Sequence, residues 1–420
     1  MYAEMIGALS NFMYGYLLII MLLFTGLYYT FRTGFVQLRM LRETIRVILE
    51  KPVGEEAVSS FHALMVSTAS RVGTGNIIGI STAICFGGYG AVFWMWVIAV
   101  IGGASAFIES TLAQIYKKRG EHGSYGGPAY YIEAALNSRP LAVVFAAALI
   151  MTYGVGFNML CAYNLQSTFA AYSFYVPETT PWVMGAVLAV LVGYCLLGGA
   201  RRVIKATSTL VPLMGLIYIA VAFILTVMHI DLVPGIIGKI FSEAFDFQTI
   251  FAGFAGSCVM YGVKRGLYSN EAGVGSAPNA AASADVSHPV KQGLVQMLSV
   301  FIDTLLICTA TAFMCMSSGI EPTPELAGAP YVQAALAVSL GEYAKTFITV
   351  SMVLFAFTTL LGNLYYVDNC FAYILKKVPG KTFTMVYRII ACAVIYVGAG
   401  SSMGLMWDTS DVLMGFMAII

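Results

Sequence analysis

Residues 69–79 read Ala-Ser-Arg-Val-Gly-Thr-Gly-Asn-Ile-Ile-Gly and lie in the middle of a long apolar segment. A helix crossing hydrocarbon must satisfy its backbone internally, because lipid offers no hydrogen-bond partner. Gly73 and Gly75 weaken the helix at mid-depth, Thr74 and Asn76 add polar side chains, and Arg71 adds a charge. Such a stretch is tolerated where it lines a protected polar cavity, and helices broken in this way hold substrate and coupling ion in many secondary transporters. The alternative is that the glycines merely permit close helix packing, as small-xxx-small patterns do. If the helix unwinds, the freed N–H groups suit an anionic group such as a carboxylate. The freed carbonyls and the Asn76 amide oxygen suit a hard cation, which prefers oxygen ligands.

The rest of the chain agrees with a membrane setting. It has 420 residues, 59% hydrophobic and 10% charged, with a mean hydropathy of +0.82. That excludes an ordinary soluble fold and points to an all-α integral membrane protein. The net charge of +1 and the lack of a basic stripe give no support to a nucleic-acid partner. The first apolar stretch, Met13 to Phe31, is long enough to span and reads as a retained helix rather than a cleaved signal. Cysteines stand at 85, 161, 195, 258, 308, 315, 370 and 392, all in apolar segments and with no CxxC pair. They read as reduced, buried thiols. The four scattered histidines make no ligand set, and no cofactor is expected.

Eleven hydrophobic segments can be drawn, at about 13–31, 61–87, 91–115, 141–172, 182–198, 206–229, 247–285, 290–317, 345–375, 383–403 and 410–420. The longest, 247–285, must be interrupted, and the last looks only half long enough, as though cut short. Positive charge falls in alternate loops: Arg32, Arg39, Arg42, Arg46 and Lys51; then Lys117, Lys118, Arg119 and Arg139; then Arg201, Arg202 and Lys205; then Lys291; then Lys376, Lys377 and Lys381. Lys239 is the exception. The positive-inside rule places the N-terminus outside and the C-terminus in the cytoplasm of a multi-pass protein of the cell membrane. In the first inner loop Leu38, Leu41, Ile45 and Ile48 recur at helical spacing, which fits an interfacial amphipathic helix or a connector packed on the bundle.

Setting aside residues 1–60, an extra N-terminal helix with its cytoplasmic linker, ten spans divide into five and five, at 61–230 and 247–420. Each half opens with a Gly-interrupted segment, the second around Gly253, Gly256 and Ser257. Five is odd, so the second half starts on the opposite side of the membrane. The topology is that of an inverted repeat with two discontinuous helices.

Other polar groups are ambiguous. Thr358 and Thr359 lie mid-span, and either bond back to the preceding turn or face a sodium ion. Arg71 and Glu109 are a candidate pair. Lys264, Arg265 and Glu271 are expected towards the cytoplasmic end of the second broken segment, as structural or gating groups. Asp303 is either a hydrogen-bonded structural acid or part of an ion site.

These stretches resemble the alanine or glycine:cation symporters, also called sodium:alanine symporters. The matching residues are Arg71-Val-Gly-Thr-Gly-Asn76, Gly88-Tyr-Gly-Ala-Val-Phe-Trp-Met-Trp96, Gly126-Gly-Pro-Ala-Tyr-Tyr-Ile132, Gly262 to Pro278, Phe301-Ile-Asp-Thr304 and Phe355-Ala-Phe-Thr-Thr-Leu-Leu-Gly362. The resemblance implies a fold similar to the LeuT-like transporters and sodium-coupled uptake of a small neutral amino acid. It implies a substrate site at Gly73, Thr74, Gly75 and Asn76, facing Phe251, Ala255 and Gly256. It implies a sodium site from Thr358, Thr359 and the carbonyls of Ala69 and Val72. Two positions depart from the family. Cys161 stands where the family carries a glutamine that reaches the substrate, with Gln166 five residues on; Asn363 stands where it carries a tryptophan. Both imply a substrate larger or more polar than alanine. The leading expectation is therefore a sodium symporter and not an enzyme. The alternatives are a proton-coupled or passive permease, with Asp303 or Glu109 titrating, and a non-transporting amino-acid sensor.

Overall fold

The structure, a computed structural model, describes residues 2–50, 58–120, 123–246, 250 and 257–420. Among the described residues eight helices are long and apolar enough to cross a membrane: Glu4–Arg32, Gly90–Ile115, Arg139–Ala171, Thr180–Leu197, Gly199–Met228, Val290–Met316, Tyr343–Leu375 and Lys381–Ala399. The other three expected segments take different forms. Residues 61–87 become the helices Ser60–Arg71 and Ile78–Gly87, joined by a 3-10 turn at Thr74–Asn76. The second long segment contains Cys258–Asn270 and the short helix Pro278–Ala281. The last is a 17-residue helix, Met403–Ile419, which begins well before residue 410. Its N-terminal turns had been read as part of the preceding span and loop, because Trp407 and Met406 carry the apolar pattern through a short connection.

Glycine contacts bring the central helices together. A Cβ at Gly262 would meet the Ala91 carbonyl oxygen at 2.5 Å and Trp94 Cβ at 2.6 Å. One at Gly266 would meet Ile98 Cγ2 at 2.8 Å, and one at Gly293 the Phe107 carbonyl oxygen at 2.6 Å. Cys258–Asn270 and Val290–Phe301 thus lie backbone-close on Gly90–Ile115, as expected where packing rather than water exclusion joins helices. Outer helices leave apolar side chains such as Val190, Tyr194, Leu216 and Phe223 exposed, which suits lipid. All eight cysteines are free.

The helix Leu41–Ile48 packs Thr44, Val47 and part of Ile48 onto the bundle and leaves Leu41 and Ile45 exposed, as is Leu38 just before it. It is therefore a packed connector with a second apolar edge left open. At the same end, a hairpin of Lys118–Gly120 and Gly123–Tyr125 adjoins a latch. There Gln114 Nε2 donates to the carbonyls of Ala281 and Ala284, at 2.5 and 2.8 Å, and Lys117 Nζ to that of Ala284 at 2.6 Å.

Candidate functional site: two helix breaks and the helices around them

The first break follows from Gly73, Gly75 and Asn76. Ser59 caps Ser60–Arg71 by accepting from the His62 N–H. At the far end the chain turns extended at Gly73. The Gly73 N–H, which would continue the helix by bonding to Ala69, donates instead to Asn76 Oδ1 at 2.7 Å. The Asn76 N–H, which would bond to Val72, donates to the Gly73 carbonyl at 3.2 Å. The carbonyls of Ala69 and Val72 are thereby released from the ladder. The amides of Thr74 and Gly75 take no backbone partner among the described residues.

Asn76 is spent in holding this geometry. Its Nδ2 donates to Asp303 Oδ1 at 2.7 Å, so the amide that was expected to face a cation instead ties the break to Val290–Met316. Asp303 sits on a π-helical turn, Ile302–Cys308, which rotates the carboxylate towards the break. Asp303 Oδ2 also accepts from Ser269 Oγ and Thr304 Oγ1, both at 2.8 Å.

The second described break lies at 271–277. Glu271 ends Cys258–Asn270 in a left-handed conformation (φ 52°), and Gly273 and Gly275 both have φ 80°. That region favours glycine, so the chain unwinds here for a local reason. Glu109 accepts from the N–H groups of Gly273 (3.4 Å) and Gly275 (3.0 Å). The break expected around Gly253 and Gly256 lies outside the described residues, and 271–277 is a further unwound stretch of the same segment. Phe251, Ala255 and Gly256 lie outside the described residues. The first break faces the last turn of Cys258–Asn270, since a Cβ at Gly75 would meet Tyr268 Cε1 at 2.8 Å and Ser269 Cα at 3.8 Å.

Tyr343–Leu375 forms the next wall. A Cβ at Gly362 would lie 2.8 Å from the Ser70 nitrogen, so the two helices touch. Thr358 Oγ1 donates back to the Leu354 carbonyl at 2.9 Å. Thr359 Oγ1 is buried with no partner and points at Gly73, where a Cβ would overlap it. The two threonines therefore differ: the first is satisfied within its helix, the second is open against Gly73. Asn363 is engaged at both ends, with Oδ1 2.7 Å from Ser70 Oγ and Nδ2 donating to Asn158 Oδ1 at 3.0 Å.

The remaining wall is Phe157–Ser167. Cys161 is fully buried and its Sγ lies 3.5 Å from the Ala356 carbonyl. Asn164, one turn on and on the same face, donates through Nδ2 to Thr74 Oγ1 at 3.1 Å, while its Oδ1 is buried without a partner. Gln166 faces elsewhere and accepts from Tyr175 OH at 3.1 Å. Asn164, Ser70, Tyr268 and Ser269 were not picked out from the sequence. Asn164 had a signal, a polar side chain at helical spacing from Cys161 in an apolar run.

One charge assignment is corrected. Arg71 does not pair with Glu109: its Nη1 donates to the Gln296 carbonyl (3.1 Å) and Oε1 (3.3 Å), and Nε and Nη2 are buried without partners. Glu109 is held by backbone amides instead. Lys264 and Arg265 form structural ion pairs with Asp411. They are buried against Met403–Ile419, with Lys264 Nζ 2.9 Å from Asp411 Oδ2 and Arg265 Nη1 3.2 Å from Asp411 Oδ1. Arg265 also lies over the Trp407 ring at 3.9 Å, and Trp407 packs edge-on against Tyr268.

The model of the sodium:alanine symporter family matches residues 1–420. The chain is 42% identical over 420 residues to the probable sodium/glutamine symporter GlnT of Bacillus subtilis (strain 168), covering 99% of this chain and 86% of that protein. It is 36% identical over 430 residues to the sodium/alanine symporter AgcS of Methanococcus maripaludis, covering 100% of this chain and 93% of that one. Among solved structures, MhsT in complex with L-phenylalanine matches with a TM-score of 0.45 and 15% identity, over 87% of this chain and 100% of that chain. With a family match along its whole length and relatives this similar, the chain belongs to the sodium:alanine symporter family, a family of membrane transporters and not of enzymes.

Proposed function

We propose that this protein is a sodium-coupled symporter that imports a small neutral amino acid by alternating access. The observation that carries the reading is the Thr359 hydroxyl, buried and unpartnered against Gly73, at the break that releases the carbonyls of Ala69 and Val72. A hydroxyl and two carbonyls are the oxygen donors that a hard monovalent cation takes. Thr358 contributes to the position of that helix and to the ion site through its neighbour. The unpartnered amides of Thr74 and Gly75, at the start of the next half-helix, suit the substrate carboxylate. Sodium bound behind Gly73 would order the break and so prepare those amides. The five-helix halves, 61–230 and 247–420, then rock about the site as inverted repeats, with the N-terminus outside and the C-terminus in the cytoplasm.

The substrate is larger or more polar than alanine. A small thiol at Cys161, in place of a longer amide side chain, leaves volume, and Asn164 brings an amide to the same face. Asn363 supports this less, because both ends of its amide are occupied. A proton-driven reading through Asp303 or Glu109 has less support, since fixed donors occupy both carboxylates. The test is uptake of a panel of labelled amino acids into proteoliposomes under a sodium gradient or a pH gradient. Uptake that follows pH and ignores sodium refutes the coupling. Alanine outcompeting glutamine, serine and asparagine refutes the pocket reading.

A further inference from the structure

Ser70 Oγ lies 2.8 Å from Glu271 Oε1 and 2.7 Å from Asn363 Oδ1. A serine hydroxyl has one proton to donate, so it cannot serve both oxygens if both are pure acceptors. The proton accounting is resolved if Glu271 is itself a donor. Glu271 Oε1–H then donates to Ser70 Oγ, Ser70 Oγ–H to Asn363 Oδ1, Asn363 Nδ2 to Asn158 Oδ1 (3.0 Å), and Asn158 Nδ2 to the Gly154 carbonyl (3.4 Å). Glu271 Oε2 accepts from Ser276 Oγ at 2.7 Å. Every contact in the chain is then a hydrogen bond running in one direction.

The alternative keeps Glu271 ionised and turns both asparagine amides over. Asn158 Oδ1 would then face the Gly154 carbonyl, two buried acceptors with no proton between them. Such an arrangement is disfavoured in a dry interior.

The charge around Glu271 argues the same way. It is faced by Arg71, Asp303 and Glu109, and by the phenols of Tyr153 and Tyr366. Three buried carboxylates surround one guanidinium. Glu109 and Asp303 are each held by fixed donors, two backbone amides in one case and an amide and two hydroxyls in the other. Glu271 has one hydroxyl it can claim. A buried charge without compensation is costly, and a proton removes it.

We infer that Glu271 is a proton-binding site, and that its bound proton orders a hydrogen-bonded chain linking the second break to Ser60–Arg71, Tyr343–Leu375 and Phe157–Ser167. The site does not depend on which ion drives transport. The ligand is a single proton, held between Glu271 and Ser70.

The test uses the purified full chain and its Glu271→Gln variant, whose amide supplies the same donor without charge. Infrared spectra in H2O and D2O should show a protonated-carboxyl stretch in the unaltered protein at neutral pH that weakens in Glu271→Gln. The melting temperature of Glu271→Gln should stay within about 2 °C of the parent, while Glu271→Ala, which breaks the chain, should fall by more than about 5 °C. An undiminished carboxyl band in Glu271→Gln, or a loss in that variant as large as in Glu271→Ala, overturns the inference. Failure of Glu271→Gln to fold overturns it as well, since a neutral isostere should be accepted.

Discussion

Adding one methyl group at Gly73 tests the sodium reading directly. Gly73 is extended (φ −141°, ψ −154°), a conformation alanine adopts freely. Gly73→Ala therefore brings no backbone strain, and its effect is steric. The new Cβ would overlap Thr359 Oγ1 and lie 3.2 Å from Thr359 Cβ and 3.3 Å from Cγ2. Overpacking of this kind costs about 1–3 kcal/mol. Thr359 must swing away from Gly73, and so from the proposed ion site, to relieve it. At about 1.4 kcal/mol per tenfold, the sodium concentration for half-maximal uptake should rise by roughly 5- to 150-fold. A double-mutant cycle separates this contact from general damage. Thr359→Ala removes Oγ1 and Cγ2 and leaves only Cβ near the new methyl. On that background Gly73→Ala should destabilise less, with a coupling of about 1 kcal/mol or more in detergent melting curves. Additive losses in the cycle, or a Gly73→Ala protein with unchanged sodium half-saturation, would refute the placement of Thr359 against Gly73.

Other substitutions separate groups the sequence left equivalent. Thr359→Ala should raise the sodium requirement at least tenfold, whereas Thr358→Ala, which loses a bond within its own helix, should shift it by less than about fivefold, since such a bond contributes ~1 kcal/mol or less; sodium titration of uptake reads both. Asn76→Ala strands the Gly73 N–H and removes a donor from Asp303, at roughly 2–4 kcal/mol for two buried bonds, one of them to a charge; melting temperature and uptake should fall together. Asn164→Leu keeps the volume and removes the free Oδ1. If that oxygen meets the substrate, KM for transported amino acids should rise about tenfold or more while sodium half-saturation stays within about twofold, as one lost bond to a charged group implies. Asp411→Asn strips the partner from Lys264 and Arg265 and should destabilise by about 3–5 kcal/mol, with Lys264→Met on the same background recovering part of the loss in thermal melts.

Much of the fold was legible because lipid imposes a simple rule: every spanning residue must be apolar or hidden, and every backbone group paired. Length, hydropathy and alternating loop charge then mark the spans, and Gly73-Thr74-Gly75-Asn76 stands out by violating the rule. The unwound stretch at 271–277 is less legible. Residues 247–285 contain several glycines, and the sequence does not say which of them take positive φ; among the described residues of that segment Gly273 and Gly275 do. Charge partners are hidden for a similar reason. Lys264 and Arg265 follow one another near a polar stretch, which suggests structural or gating groups but names no partner. Their partner, Asp411, is 146 residues away from Arg265, and no local pattern points to it.

The sequence by itself determined that this is a helical membrane transporter with a helix broken at Gly73–Asn76, because composition and local backbone chemistry are properties of neighbouring residues. Tertiary structure alone decided what each polar group does there. Thr358 and Thr359 are adjacent and alike in sequence, yet one is satisfied by its own helix and the other is left open against Gly73. Asn76 and Asn363 look like free pocket amides and are both tied down, while Asn164 is left with an open oxygen. Hydrogen-bond capacity is fixed by residue type. Whether it has been used up depends on partners brought in from other helices, and those distances are set only when the helices pack.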